Sequence, residues 1–140
     1  MRALLMSHSG LRYLVLVALL ALIIVSVMGM VSKKPAGKGV RIVGSVFVGL
    51  LDLQILLGLV AIIMGVWYPA LIGHLVMMVG AAAVAHVTLA MNRRRPVPGY
   101  ALPLGGAVAA LVLIIGGIMA IQCSPFATGC GQVVRAVMAQ

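Results

Sequence analysis

The sequence holds one acidic residue, Asp52, and 8% of its 140 residues are charged, where an ordinary soluble domain carries about 25%. A lone carboxylate leaves no pair for acid–base hydrolysis. The chain also lacks a P-loop, a G-x-S-x-G turn and an H-E-x-x-H helix. Most hydrolytic mechanisms therefore have no residues to run on. The two cysteines, Cys123 and Cys130, are spaced unlike a redox C-x-x-C pair, and a zinc site would need two further ligands that the tail around them does not offer. There is no internal repeat, no low-complexity tract and no stretch that reads as a soluble domain.

What the chain has in abundance is apolar residues, 64% of the total. They fall into four runs, Tyr13 to Val31, Ile42 to Trp67, Pro69 to Met91 and Tyr100 to Gln122. Each meets or approaches the roughly 20 residues that a helix needs to cross a bilayer. Backbone amides in hydrocarbon must be satisfied internally, which makes these runs helices; barrel strands would alternate polar with apolar, and these do not. The expectation is an all-α protein, an integral membrane four-helix up-and-down bundle. It would be one transmembrane domain over 1–140, with helices at about 10–31, 42–67, 69–91 and 100–122 and a tail at 123–140. Residues 1–10 read as a short outer segment. The first run is too long, and too free of a cleavage pattern, for a removed signal peptide, so it reads as a retained helix.

The net charge of +9 suggests nucleic acid until its placement is considered. Lys33, Lys34, Lys38 and Arg41 lie between the first two runs, and Arg93, Arg94 and Arg95 between the last two, out of ten Lys and Arg in all. Both groups fall on one side of the membrane. The positive-inside rule makes that side cytoplasmic, with both chain ends outside, in a multi-pass membrane chain. Nucleic acid is not an expected partner; the lipid bilayer is, and the basic loops can hold anionic headgroups. Trp67 and Tyr68 mark the outer interface. Cys123 and Cys130 also fall outside, where a local disulfide closing CSPFATGC persists; two inert thiols are the alternative.

A few polar side chains remain within or beside the apolar runs, and they carry whatever chemistry the chain has. His8 and Arg12 are four apart and share a face if the first helix begins early enough. Arg12 either snorkels outward or pairs with an anion. Asp52 and Gln54 form an intramembrane polar site in the second run, although two helical positions are about 200° apart and do not share a face. In the third run His74 lies about one turn below the outer surface. His86 follows twelve residues later, about 18 Å deeper, and is able to pair with Asp52. The ten methionines are dispersed and read as core filler more readily than as a copper site.

In an up-and-down bundle the first and third helices lie diagonally across the core. His8 and His74 then stand at similar depth, the arrangement of two imidazoles clasping one b-type haem, with Met77 and Met78 beside His74 and Arg12 within reach of the propionates. His86 is a candidate for a second haem or a quinone. The bland alternative is that each histidine is merely hydrogen-bonded to a carbonyl or water.

The segments HSGLRY at His8–Tyr13, LDLQILLGL in the second run and GHLVMM in the third resemble a family of small four-helix bacterial membrane proteins. Its members open with HSGLRW or similar and carry the label cytochrome b-like. The resemblance covers roughly residues 7 to 90, and His8, Arg12, Gln54 and His74 match its motif positions. Where that family often has a histidine before the L-Q of the second helix, this chain has Asp52. The resemblance implies a small subunit of a respiratory or photosynthetic-type redox complex, binding haem b or lying next to a quinone, and passing electrons rather than making a product. Two other readings stand beside it. One is a cofactor-free accessory subunit that packs against larger membrane partners. The other is a small proton-coupled transporter using Asp52 and His86.

Overall fold

The computed structural model describes residues 2–33 and 35–121. Cys123, Cys130 and the tail at 123–140 lie outside the described residues. The described chain is four helices, α1 (Arg2–Val31), α2 (Lys38–Ile63), α3 (Leu71–Arg94) and α4 (Ala101–Ala120). All four are long and apolar enough to cross a membrane. They run up and down in a ring: α1 lies between α2 and α4, and α3 between α4 and α2. Helices α1 and α3 are thus diagonal. The α3–α4 contact is the most extensive and the α2–α3 seam the loosest.

Helix boundaries differ from expectation at several points: α2 begins at Lys38 rather than near 42, and α3 runs to Arg94 rather than 91. Helix α1 starts at Arg2 rather than near residue 10, because Arg-Ala-Leu-Leu-Met contains no helix breaker and Gly10 alone does not stop a helix. Helix α2 stops at Ile63, four residues before Trp67. The reason is Gly65, which adopts a positive φ of 98°. Its N–H donates to Ile62 O at 2.9 Å, and Val66 N–H donates to Ala61 O at 3.1 Å. This is the Schellman arrangement, and the buried Val66 side chain completes it. Pro69 precedes α3 in the turn rather than inside it.

At the other end, Asn92 is buried, and its Oδ1 accepts from Gly99 N at 3.0 Å, which fastens the Pro96–Pro98 loop against α3. Tyr100 leads into α4; its ring lies against Gly29 of α1, and its hydroxyl donates to Pro35 O at 3.1 Å.

The core is formed by Leu19, Leu22, Phe47, Leu51, Ala81, Ala85, Ala107, Ala110, Ile114 and Ile118. Small residues bring α4 close to α3. A Cβ added at Gly106 would collide with Thr88, and one at Gly117 would lie 3.0 Å from Met77 Cβ. Their neighbours Gly105 and Gly116 are less constrained, and Gly105 has open space beside it. Each glycine pair of α4, Gly105-Gly106 and Gly116-Gly117, thus has one buried member and one freer member.

Two ends of the bundle are chemically distinct. Lys33, Lys38, Arg41 and Arg93–Arg95 gather at the α1–α2 and α3–α4 loops, here termed the basic end. The start of α1, the α2–α3 loop and the end of α4 form the far end.

Candidate functional site

A cavity of about 120 Å³ opens between the helices in the far half of the bundle. Leu5, Leu51, Ile55, Leu75, Ile114 and Ile118 make its walls largely apolar. Six polar residues line it: His8, Ser9 and Arg12 from α1, Gln54 from α2, Tyr68 from the α2–α3 loop and His74 from α3. Periodicity explains the set. His8 and Arg12 are one turn apart on α1, and Gln54 shares the inward face of α2 with Leu51.

His74 is oriented by α4. Its Nδ1 lies 2.8 Å from Gly117 O. A carbonyl oxygen can only accept, so Nδ1 carries the proton and the neutral ring keeps its lone pair on Nε2. The absence of a side chain at Gly117 lets α4 come near enough for this bond, since an added Cβ would meet both Met77 and Met78. His8 is backed by Gly58, where an added Cβ would lie 3.1 Å from His8 Cε1. Gln54 Nε2 donates to His8 O at 2.8 Å, which ties α2 to α1 and turns Oε1 the other way. Arg12 Nη2 donates to the Tyr13 hydroxyl at 3.2 Å, and its guanidinium lies 5.0 Å from the centre of that ring. Burial raises the Tyr68 phenol above its ordinary pKa, so the hydroxyl keeps its proton at neutral pH.

Two buried polar atoms in this cavity have no hydrogen-bond partner among the described residues: His8 Nδ1 and Gln54 Oε1. Such an atom costs about 1–3 kcal/mol when left unsatisfied. Both atoms belong to residues that line this cavity, as does His74, whose protonated Nδ1 leaves the lone pair on Nε2.

The second polar cluster is on the outside of the bundle. His86 Nε2 lies 2.9 Å from Asp52 Oδ1 and 3.1 Å from Oδ2, bridging α3 to α2 across their loose seam. The two side chains are 53% and 51% exposed. Seven residues further along α3, about 10 Å toward the basic end, Arg93 Nη2 donates to Ser45 Oγ at 2.7 Å, and Ser45 Oγ donates to Arg41 O at 2.9 Å. Asp52 and Ser45 are themselves seven apart on α2, so the two pairs form one polar stripe.

The residues singled out in the sequence divide into two groups. His8, Arg12, Gln54 and His74 come together. His86 does not join them: it turns to the outer face and meets Asp52. Asp52 and Gln54 are not one polar site, because their angular separation sends Gln54 inward and Asp52 outward. Met78 lines the cavity with His74, while Met77 lies against Gly116 and Gly117. Tyr68 was read only as an interface anchor; the early end of α2 frees the loop to fold it over the cavity.

The donor chemistry fits a haem iron, with His74 fixed in the tautomer that exposes Nε2 and a second imidazole opposite. The space fits less well. A cavity of about 150 Å³ accepts a benzene, and the present one is of that order, so a porphyrin would need α1 and α3 to part. Among the described residues no group of three or more His, Cys, Asp or Glu side chains is placed to hold a metal ion. Comparison with protein-family models, with curated proteins and with solved structures gave no match to this chain.

Proposed function

We propose that this chain is a small electron-transfer subunit of a membrane redox complex, respiratory or photosynthetic in type, in a bacterial inner membrane with its basic end in the cytoplasm. The far-half cavity then receives a planar redox ring, the head group of a quinone. The observation that carries this reading is the convergence of unsatisfied His8 Nδ1 and Gln54 Oε1 with His74 in a largely apolar cavity of single-ring size. A quinol ring has a hydroxyl at each end. His74 Nε2 and Gln54 Oε1 are acceptors suited to those hydroxyls, and His8 supplies a donor or an acceptor according to its tautomer. The apolar walls suit the ring face, and the lipid suits its tail. The chain's own residues bind and orient the ring; electrons come from a redox centre of a partner subunit.

Haem b is the second reading, favoured by the His74 tautomer and the diagonal position of His8. His8 and His74 would hold the iron, Arg12 would face the propionates, and the group would supply one-electron transfer. The accessory reading also has an observation behind it. An ionisable pair facing lipid is rare, since such residues in membrane helices almost always face protein or water. Asp52 and His86 face outward, which suits a surface covered by a partner helix.

A dithionite-reduced minus air-oxidised visible spectrum of the gently purified protein, with an organic extract of the same sample, separates these. We expect no b-type band and about one extracted quinone per chain, since the far-half cavity holds one ring. A b-type band at similar stoichiometry selects haem. A colourless protein without quinone leaves the accessory role.

A further inference from the structure

At the basic end a second cavity, about 320 Å³, opens between the start of α2, the end of α3 and the start of α4. Three cationic side chains line it: Lys38 and Arg41 from the first turn of α2, and Arg93 from the last turn of α3. Arg93 is held in place by its bond to Ser45 Oγ, which occupies Nη2 and leaves further N–H donors of the guanidinium available. The buried Asn92 forms part of the wall, and its side-chain bond to Gly99 keeps the loop behind it closed.

Nothing in the chain's own side chains neutralises this group. Its one carboxylate, Asp52, lies eleven residues from Arg41 along α2, about 16 Å away, and is engaged by His86. The start of α2 adds to the positive potential. Its N-cap is Gly37, which makes no side-chain capping bond, and the first turn contains no acidic residue, so the helix dipole is uncompensated there. Three cations and an open helix start around one cavity, at the level of the membrane–water interface, call for an anion from outside.

We propose that this cavity is a binding site for a phosphate group, held by Lys38, Arg41 and Arg93. A phosphate offers several oxygens to a fork of guanidinium donors and to a lysine point charge, and charge-assisted bonds of that type are the strong ones. Two sources share the chemistry, the headgroup of an anionic phospholipid and free inorganic phosphate.

The test uses the full chain in a non-ionic detergent. Thermal unfolding is followed while dioctanoyl phosphatidylglycerol, dioctanoyl phosphatidylcholine or inorganic phosphate is titrated in. A variant with Lys38→Gln, Arg41→Gln and Arg93→Gln is compared with one of equal charge loss outside the cavity, Lys33→Gln, Arg94→Gln and Arg95→Gln. We expect a saturable rise in the unfolding midpoint with phosphatidylglycerol and none with phosphatidylcholine. The cavity variant should lose about tenfold or more in apparent affinity, and the control variant much less. An equal response to inorganic phosphate identifies the free anion as ligand; a response to the lipid alone identifies the headgroup. Absence of a response to either overturns the proposal, as does equal loss in both variants, which would reduce the effect to the diffuse charge of the rim. Should the triple variant not fold, Arg41→Gln alone, at an exposed position, bears the same comparison.

Discussion

In the far half of the bundle, polar side chains point inward, and some of their hydrogen-bonding atoms are left unsatisfied. His8, Gln54 and His74 surround a cavity that the packing leaves open. In the basic half, short of the cavity at its loops, Leu22, Phe47, Ala85 and Ala107 fill the interior, and the polar pairs Asp52–His86 and Ser45–Arg93 lie on the outside, each bridging α2 and α3. A chain with so few polar residues thus uses them in two ways. One set is held inside, with His8 Nδ1 and Gln54 Oε1 lacking partners among the described residues. The other is paired and presented outward.

The largest effect expected on that distinction comes from His74→Ala. It should lower retention of the bound ring by about 100-fold, equivalent to about 2.7 kcal/mol, with helix content unchanged, as measured by cofactor content against circular dichroism. Next comes a pair of glycines. Gly106→Ala, in the closed half, pushes a Cβ into Thr88 and should cost about 1–3 kcal/mol of stability. Gly58→Ala, at the cavity, presses on the His8 ring and should weaken binding while changing stability little. If Gly58→Ala instead costs as much stability as Gly106→Ala, measured by unfolding in mixed detergent, the far half is as tightly packed as the basic half and the contrast between them fails.

A smaller effect is expected from replacing Asp52 and His86 together by leucine. The bilayer-inserted chain should remain folded and keep its cofactor. Recovery of partner subunits in a pull-down should fall by about tenfold, the range of a polar interhelical contact of about 1.4 kcal/mol. Unchanged recovery would remove the outward pair from the interface. The smallest effect is Gly49→Ala on the same outward side. No heavy atom lies within 4 Å of the added Cβ, so helix propensity decides, and the substitution should stabilise by up to about 1 kcal/mol. Loss of partner recovery in this variant, with stability raised, would place Gly49 in the contact.

The four spans were legible because hydrocarbon leaves the backbone no choice. The level of His8 with His74, and the reach of His86 to Asp52, followed from counting residues along antiparallel helices. Details fixed by side-chain geometry were not legible. Gly65 and Val66 carry the signal for the early end of α2, a glycine followed by a residue that can bury itself, but such a pair is also common within apolar helices. The assignment of Gln54 to the cavity needed the rotational phase of α2 relative to α1, which packing sets. The basic-end cavity depends on the loop that Asn92 fastens, and no spacing in the sequence announces that contact.

Helix α1 has 30 residues, a length of about 45 Å against a hydrocarbon thickness of about 30 Å. A tilt of about 20° shortens its span by only about 3 Å. With its basic end held at one interface, roughly its first ten residues rise beyond the hydrocarbon on the other side, and His8 is among them. The mouth of the cavity therefore lies in the headgroup layer. The quinone proposed for it is confined to the bilayer and would reach it by lateral diffusion within one leaflet, so its occupancy would follow its mole fraction among the lipids rather than its concentration in water. The same protein will give different apparent affinities at different lipid-to-protein ratios until binding is expressed on that scale.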